Sequence, residues 1–134
     1  MVRRHEALRT TFESRRGQPA QHIAAPGPVT LPIVDLEWHP PLERARVVAD
    51  VVREKTQRPF DLTRGPLIRP LLLRLGPHEH DLLISLHHMV ADGWSLGILT
   101  RELATLYEAF VAGRASPLPE LPIQYTDFAA WQHR

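Results

Sequence analysis

Apolar positions along this chain repeat at two periods, and the period changes from segment to segment. In "PPLERARVVADVVREKTQRPF", residues 40–60, Leu42, Ala45, Ala49 and Val52 return at helical spacing. Pro40 and Pro41 suit the first turn of that helix and Pro59 ends it. A second helix is predicted from Trp94 to about Ala112. Leu96, Leu99, Leu103, Leu106, Tyr107 and Phe110 form its apolar stripe, and Gly113 supplies the stop. "RRHEALRTTF", residues 3–12, predicts a helix with Ala7, Leu8, Thr11 and Phe12 on one side. "TDFAAWQHR" predicts the start of another, capped by Thr126. Shorter apolar runs predict strands. "GQPAQHIA" and "VTLPIVDLE" are separated by Pro26, Gly27 and Pro28, while "GPLIRPLLLRL" and "HDLLISLHH" flank a Gly76–Pro77 turn as a hairpin. Pro70 has no N–H, so its strand is expected to have an open edge or a bulge there. The pattern predicts an α+β fold. Helix begins at the first residues without a capping lead-in, so both ends read as cuts through a larger fold.

Composition narrows the function classes. The 134 residues are 43% hydrophobic with a net charge of +1, enough for a packed core and no case for nucleic acid. No run is apolar enough to span a bilayer, and the charged opening "MVRRHEALRTTF" is unlike a secretory signal, so a cytoplasmic protein is expected. There is no cysteine, which excludes thiolate ligands and a cysteine nucleophile.

Candidate chemistry concentrates in "HHMVADGWS", residues 87–95. Neighbouring side chains of a strand point to opposite faces, so His87 and His88 cannot share a cavity if the strand runs through both. One ring packs inward and the other leans into an open site. Asp92 and Gly93 follow, with Gly93 expected to allow a sharp bend before the long helix. A metal site would draw on His87, His88 and Asp92, with His78 and His80 nearby, but the opposed rings argue against shared coordination. "GWSLG", residues 93–97, matches a serine-hydrolase elbow, with Asp127 and His133 in the right chain order. The competing reading makes Ser95 a helix-cap hydroxyl. The plainest alternative is two hydrogen-bonded histidines and a turn aspartate.

Three motifs together resemble the condensation domain of nonribosomal peptide synthetases: "RHEALRTTF" at 4–12, "HHMVADGWS" at 87–95 and "YTDFAAWQ" at 125–132, in that family's order. The resemblance implies half of a chloramphenicol-acetyltransferase-like fold, with a mixed sheet and helices on one face. It implies that residues 1–134 are the N-terminal part of the domain, without its opening elements and its C-terminal half. It assigns His88 as the active-site histidine, His87 as structural, and Asp92 as a structural aspartate paired with Arg9, with Arg4 the other motif arginine. Gly93 would border the reacting centre with its backbone N–H. The implied reaction joins an acyl or peptidyl thioester to the amine of an aminoacyl thioester. Both substrates ride on the 4'-phosphopantetheine of carrier proteins, beside an adenylation domain, and no cofactor or metal is held directly. "DGWS" with "LPIQYTDFAAWQ" resembles members that take L-configured donors. Another acyltransferase of the same fold and a non-catalytic, partner-packing segment are the alternatives.

Overall fold

The structure, a computed structural model, describes residues 1–132. β1 (Thr10–Arg15) and β2 (Gln18–Ile23) form an antiparallel hairpin. β3 (Ile33–Asp35), β4 (Ile68–Arg74) and β5 (His80–Leu86) form a second sheet in the order β3-β4-β5. β3 runs parallel to β4 with Ile33 opposite Leu72, and β5 runs antiparallel with Leu86 opposite Ile68, so this sheet is mixed. α1 (Pro41–Gln57) crosses over from β3 to β4, α2 (Gly93–Val111) leaves β5, and α3 (Tyr125–Gln132) closes the described chain. The fold is α+β, as the pattern predicts.

α1 packs on the three-stranded sheet through Val47, Val48 and Val51, which meet Leu36, Leu71 and Leu73. The stripe predicted for this helix is therefore rotated: Leu42 is 92% exposed, and the inward positions are 44, 47, 48, 51, 52 and 55. Paired valines at 47–48 and 51–52 satisfy helical spacing in more than one register, and only the partner surface chooses between them. α2 is rotated in the same sense. Its buried positions are Glu102, Leu106 and Ala109, while Tyr107 and Phe110 face outward. Its end follows expectation: Gly113, at φ +66°, donates to Phe110 O, and Arg114 donates to Ala109 O at 2.8 Å. These are the two bonds of a Schellman stop.

The helix predicted over residues 3–12 is replaced by a single 3-10 turn, Glu6–Arg9, leading directly into β1. Thr10, Thr11 and Phe12 are β-branched or aromatic and suit a pleated surface. Arg16 (φ 53°) and Gly17 (φ 80°) form the two-residue turn with both central residues at positive φ that matches strand twist. Ladder partners such as Ile23 opposite Thr10 and Gln21 opposite Phe12 outweigh local helix propensity.

Pro70 lies on the central strand, yet at an open position. Even-numbered residues of β4 turn their backbone groups toward β3: Leu72 N donates to Pro32 O, and Arg74 O accepts from Leu36 N. β3 starts only at Ile33, so the side to which Pro70 lacks a donor has no strand beside it. The hairpin is tied to the connection between α1 and β4, where Phe12 N donates to Leu62 O at 2.8 Å and where Gly65 meets Thr11. Gly65 has φ +60°, and a Cβ there would lie 2.8 Å from Thr11 Cγ2, so both backbone and packing demand glycine.

Candidate active site

β5 ends at Leu86, and His87 N donates to Leu67 O at 3.0 Å as the chain leaves the sheet. Val90 N then donates to His87 O at 3.0 Å and closes a turn. The strand stops short of both histidines, so the turn rather than strand alternation sends the two rings apart. His87 is half-buried and stands edge-on to Phe60, centroids 5.8 Å apart at 81°. Its Nδ1 lies 3.2 Å from Met89 N. A backbone N–H can only donate, so His87 Nδ1 carries a lone pair and its proton sits on Nε2.

His88 is exposed and borders a cavity of about 240 Å³. Leu8, Leu86, Ile98 and Leu99 give this cavity apolar walls, and His5 and Tyr125 add polar edges. His88 Nδ1 lies 3.0 Å from Ala91 O. A carbonyl can only accept, so Nδ1 holds the proton, and in the neutral ring Nε2 is left with a free lone pair. A backbone carbonyl thus selects the tautomer that a general base needs.

Asp92 is the N-cap of α2. Its carboxylate accepts from Ser95 N at 2.8 Å and from the Ser95 hydroxyl at 2.6 Å. Those bonds, the hydroxyl first, hold the Asp92 carboxyl below the usual aspartate range. Ser95 is therefore the capped residue rather than the cap. Its hydroxyl hydrogen is committed to a carboxylate, which is not the arrangement of a hydrolase nucleophile. Asp127 accepts from Gln124 N at 2.8 Å at the start of α3, while His133 lies outside the described residues. Thr126, predicted as the cap of α3, instead donates to Glu6 Oε2 at 3.0 Å.

The expected Asp92–Arg9 pair does not form. Arg9 pairs with Glu6 at 3.2 Å and donates to Ala24 O at 2.5 Å, so it closes the β1–β2 hairpin instead. A helix over residues 3–12 would have aimed Arg9 differently; the 3-10 turn and strand carry it toward β2. The buried tie to α2 comes from Arg4. Its Nε lies 3.0 and 3.1 Å from the two Glu102 oxygens, and a further bond reaches Pro119 O. His5 Nε2 meets the same carboxylate at 2.6 Å. Both Arg4 and Glu102 side chains are 11% exposed. Burial, the largest influence, raises the Glu102 pKa, but the hydrogen bonds and charges of His5 and Arg4 outweigh it and leave it lowered. Sequence reasoning missed Glu102 and His5. The available signal was a carboxylate spaced three and four residues from Leu99 and Leu106 within an otherwise apolar stripe.

Gly93 opens α2 at an ordinary φ, and a Cβ there would meet nothing within 4 Å. The expected sharp bend is absent, because Asp92 in an extended conformation makes the turn into the helix. His78 and His80 are exposed in the β4–β5 hairpin. Among the described residues no three histidine or carboxylate side chains converge, and no helix is long and apolar enough to cross a membrane.

Comparison with known proteins agrees with this layout. The condensation domain profile matches residues 1–134. The phosphinothricin tripeptide synthetase PhsC of Streptomyces viridochromogenes is 48% identical over 134 residues, which is 100% of this chain and 12% of that protein. The X-domain from teicoplanin biosynthesis superposes with a TM-score of 0.85 at 35% identity, covering 99% of this chain and 28% of that one. The first condensation domain of the calcium-dependent antibiotic synthetase, in complex with a substrate analogue, superposes with a TM-score of 0.75 at 30% identity, covering 87% and 28%. This chain spans 2–12% of the curated relatives it matches. On the match of its whole length, the shared fold and these identities, the chain belongs to the condensation domain family.

Proposed function

We propose that residues 1–134 form the histidine-bearing N-terminal part of a condensation domain that makes amide bonds on carrier-bound thioesters. The observation that carries this reading is His88: an exposed ring at a cavity mouth, its Nδ1 engaged by Ala91 O and its Nε2 free. The donor is an acyl or peptidyl thioester and the acceptor an aminoacyl thioester. Each hangs from the 4'-phosphopantetheine of a carrier protein, with an adenylation domain loading the acceptor. An α-amine with a pKa of about 8 is roughly one-tenth neutral at pH 7, so part of it is already nucleophilic. Its attack forms the C–N bond and leaves a charged tetrahedral intermediate. His88 Nε2 takes the nitrogen's proton, the C–S bond breaks, and the proton ends on the departing thiol. General-base help of this kind is typically worth about 10²–10⁴-fold. The Gly93 N–H, at the start of α2, is a candidate donor to the oxyanion.

The remaining part of the domain completes the channel, so the 134 residues alone catalyse nothing. The small share of each solved neighbour that this chain covers supports that reading. The cytoplasm, where carrier proteins are charged with amino acids, is the fitting compartment.

A second reading has one observation behind it. The X-domain superposes well and has also been solved in complex with OxyB. On that reading this fold holds a partner protein and forms no bond. His88→Ala in the intact synthetase separates the two. Loss of peptide product with unchanged thermal unfolding supports condensation, and full product formation overturns it.

A further inference from the structure

A stack of side chains connects the end of α1 to the His88 turn. Arg69, on β4, donates to Arg58 O at 2.9 Å and to Pro59 O at 2.7 Å, the carbonyls just past the end of α1. Its guanidinium carbon sits 3.9 Å from the centroid of the Phe60 ring. The far partner of Phe60 is His87, met edge-on. His87 in turn offers Nδ1 to Met89 N, inside the turn that presents His88. The backbone of His87 is fixed too, through Leu67, which is fully buried.

We infer that Phe60 and Arg69 are positioning residues for the reaction: they clamp His87, and His87 sets the turn that aims His88. This inference rests on the assignment of His88 as the base.

The geometry explains why each residue type is needed. Phe60 and His87 meet nearly perpendicular, a favoured aromatic geometry, while the Arg69 guanidinium lies over the Phe60 ring and pins it from a second contact. Arg69 reaches two carbonyls at once because its guanidinium is a rigid fork. A lysine offers charge but cannot bridge both while lying flat on a ring. With Phe60 removed, the His87 ring is free to rotate, Met89 N loses its acceptor, and the turn carrying His88 loosens. A base displaced by about 1 Å can cost on the order of 10²-fold in rate.

The test compares Phe60→Leu, Phe60→Tyr and Arg69→Lys in the complete condensation domain, with His88→Ala alongside. It uses single-turnover kinetics and histidine-selective ¹⁵N NMR. Phe60→Leu is expected to lower kcat roughly 10–100-fold at unchanged KM, with a shift of the His87 Nδ1 resonance. Phe60→Tyr should restore both, and Arg69→Lys should fall between. Wild-type kcat and unmoved His87 resonances in Phe60→Leu overturn the inference, whatever happens to the melting temperature. If Phe60→Leu does not fold, Arg69→Lys decides by the same two readouts. Should His88→Ala stay active, the His88 assignment falls, while the His87 resonance still reports whether the clamp exists.

Discussion

At the scale of the residue, the divergence of two adjacent histidines organises the site. Strand alternation predicted one ring inward and one outward; the strand ends at Leu86, yet the turn that follows still places His87 against Phe60 and His88 at the cavity. What alternation could not supply was the hydrogen-bond partner of each nitrogen, since Ala91 O and Met89 N are set by the turn. Asp92 shows the converse. Its importance was readable from the sequence, but its partner was not, because an aspartate before a helix serves as a cap as readily as it forms an ion pair. The cost of Asp92→Ala changes accordingly. An N-cap is worth about 1 kcal/mol, with a range of about 0.5–2, whereas truncating one partner of a buried pair costs about 3–5 kcal/mol. Differential scanning calorimetry should therefore find Asp92→Ala only mildly destabilised, and less so than Glu102→Ala. Ser95→Ala, which keeps the capping N–H, should lie close to wild type in both stability and activity; labelling of Ser95 by a fluorophosphonate would contradict that.

At the scale of the element, helices were easier to find than to orient. The ends of α1 and α2 follow prolines, the Asp92 cap and Gly113, all local signals. Their buried faces depend on partners distant in sequence, and both predicted stripes are rotated from the observed ones. The joint between the N-terminal segment and α2 is the clearest instance, since Glu102 is buried only because Arg4 and His5 arrive from about a hundred residues away. Glu102→Ala leaves the buried Arg4 without its carboxylate partner, and a loss of about 3–5 kcal/mol is expected in chemical denaturation. The pH dependence has a definite sign. The folded Glu102 pKa is lowered, so its contribution is complete above the ordinary glutamate range near about 4.3 and vanishes as pH falls through the lowered value. Wild type should lose stability in that acid window more steeply than Glu102→Gln; parallel curves would show that the carboxylate charge is not what joins these elements.

At the scale of the whole molecule, the family was readable from three short motifs because each carries residues that make specific contacts. Arg4 and His5 reach α2, Asp92 caps it, and Thr126 returns to Glu6. The division into two sheets was not readable, since it depends on β1, whose first residues were assigned to a helix over 3–12. Several aromatic side chains stand exposed on the helices. Tyr107 (70%), Phe110 (60%) and Trp131 (69%) are all exposed, and Tyr125, Phe128 and Trp131 form a ladder of rings with centroids 6.0 and 5.8 Å apart. Contiguous exposed aromatic surface marks a contact face. Expressed by itself, this chain should elute from gel filtration above its monomer mass, and Phe128→Glu with Phe110→Glu should shift it toward the monomer. Monomeric elution of the unmodified chain would argue against a contact face. Finally, Gly65 pressed against the Thr11 methyl ties two stretches of sequence that any recombination scheme would treat as independent. A chimera that imports the β1–β2 hairpin from a relative, but takes its crossover loop from elsewhere, must keep the bare α-carbon at 65 or force the hairpin away from that loop. The safe splice points therefore lie outside residues 10–65.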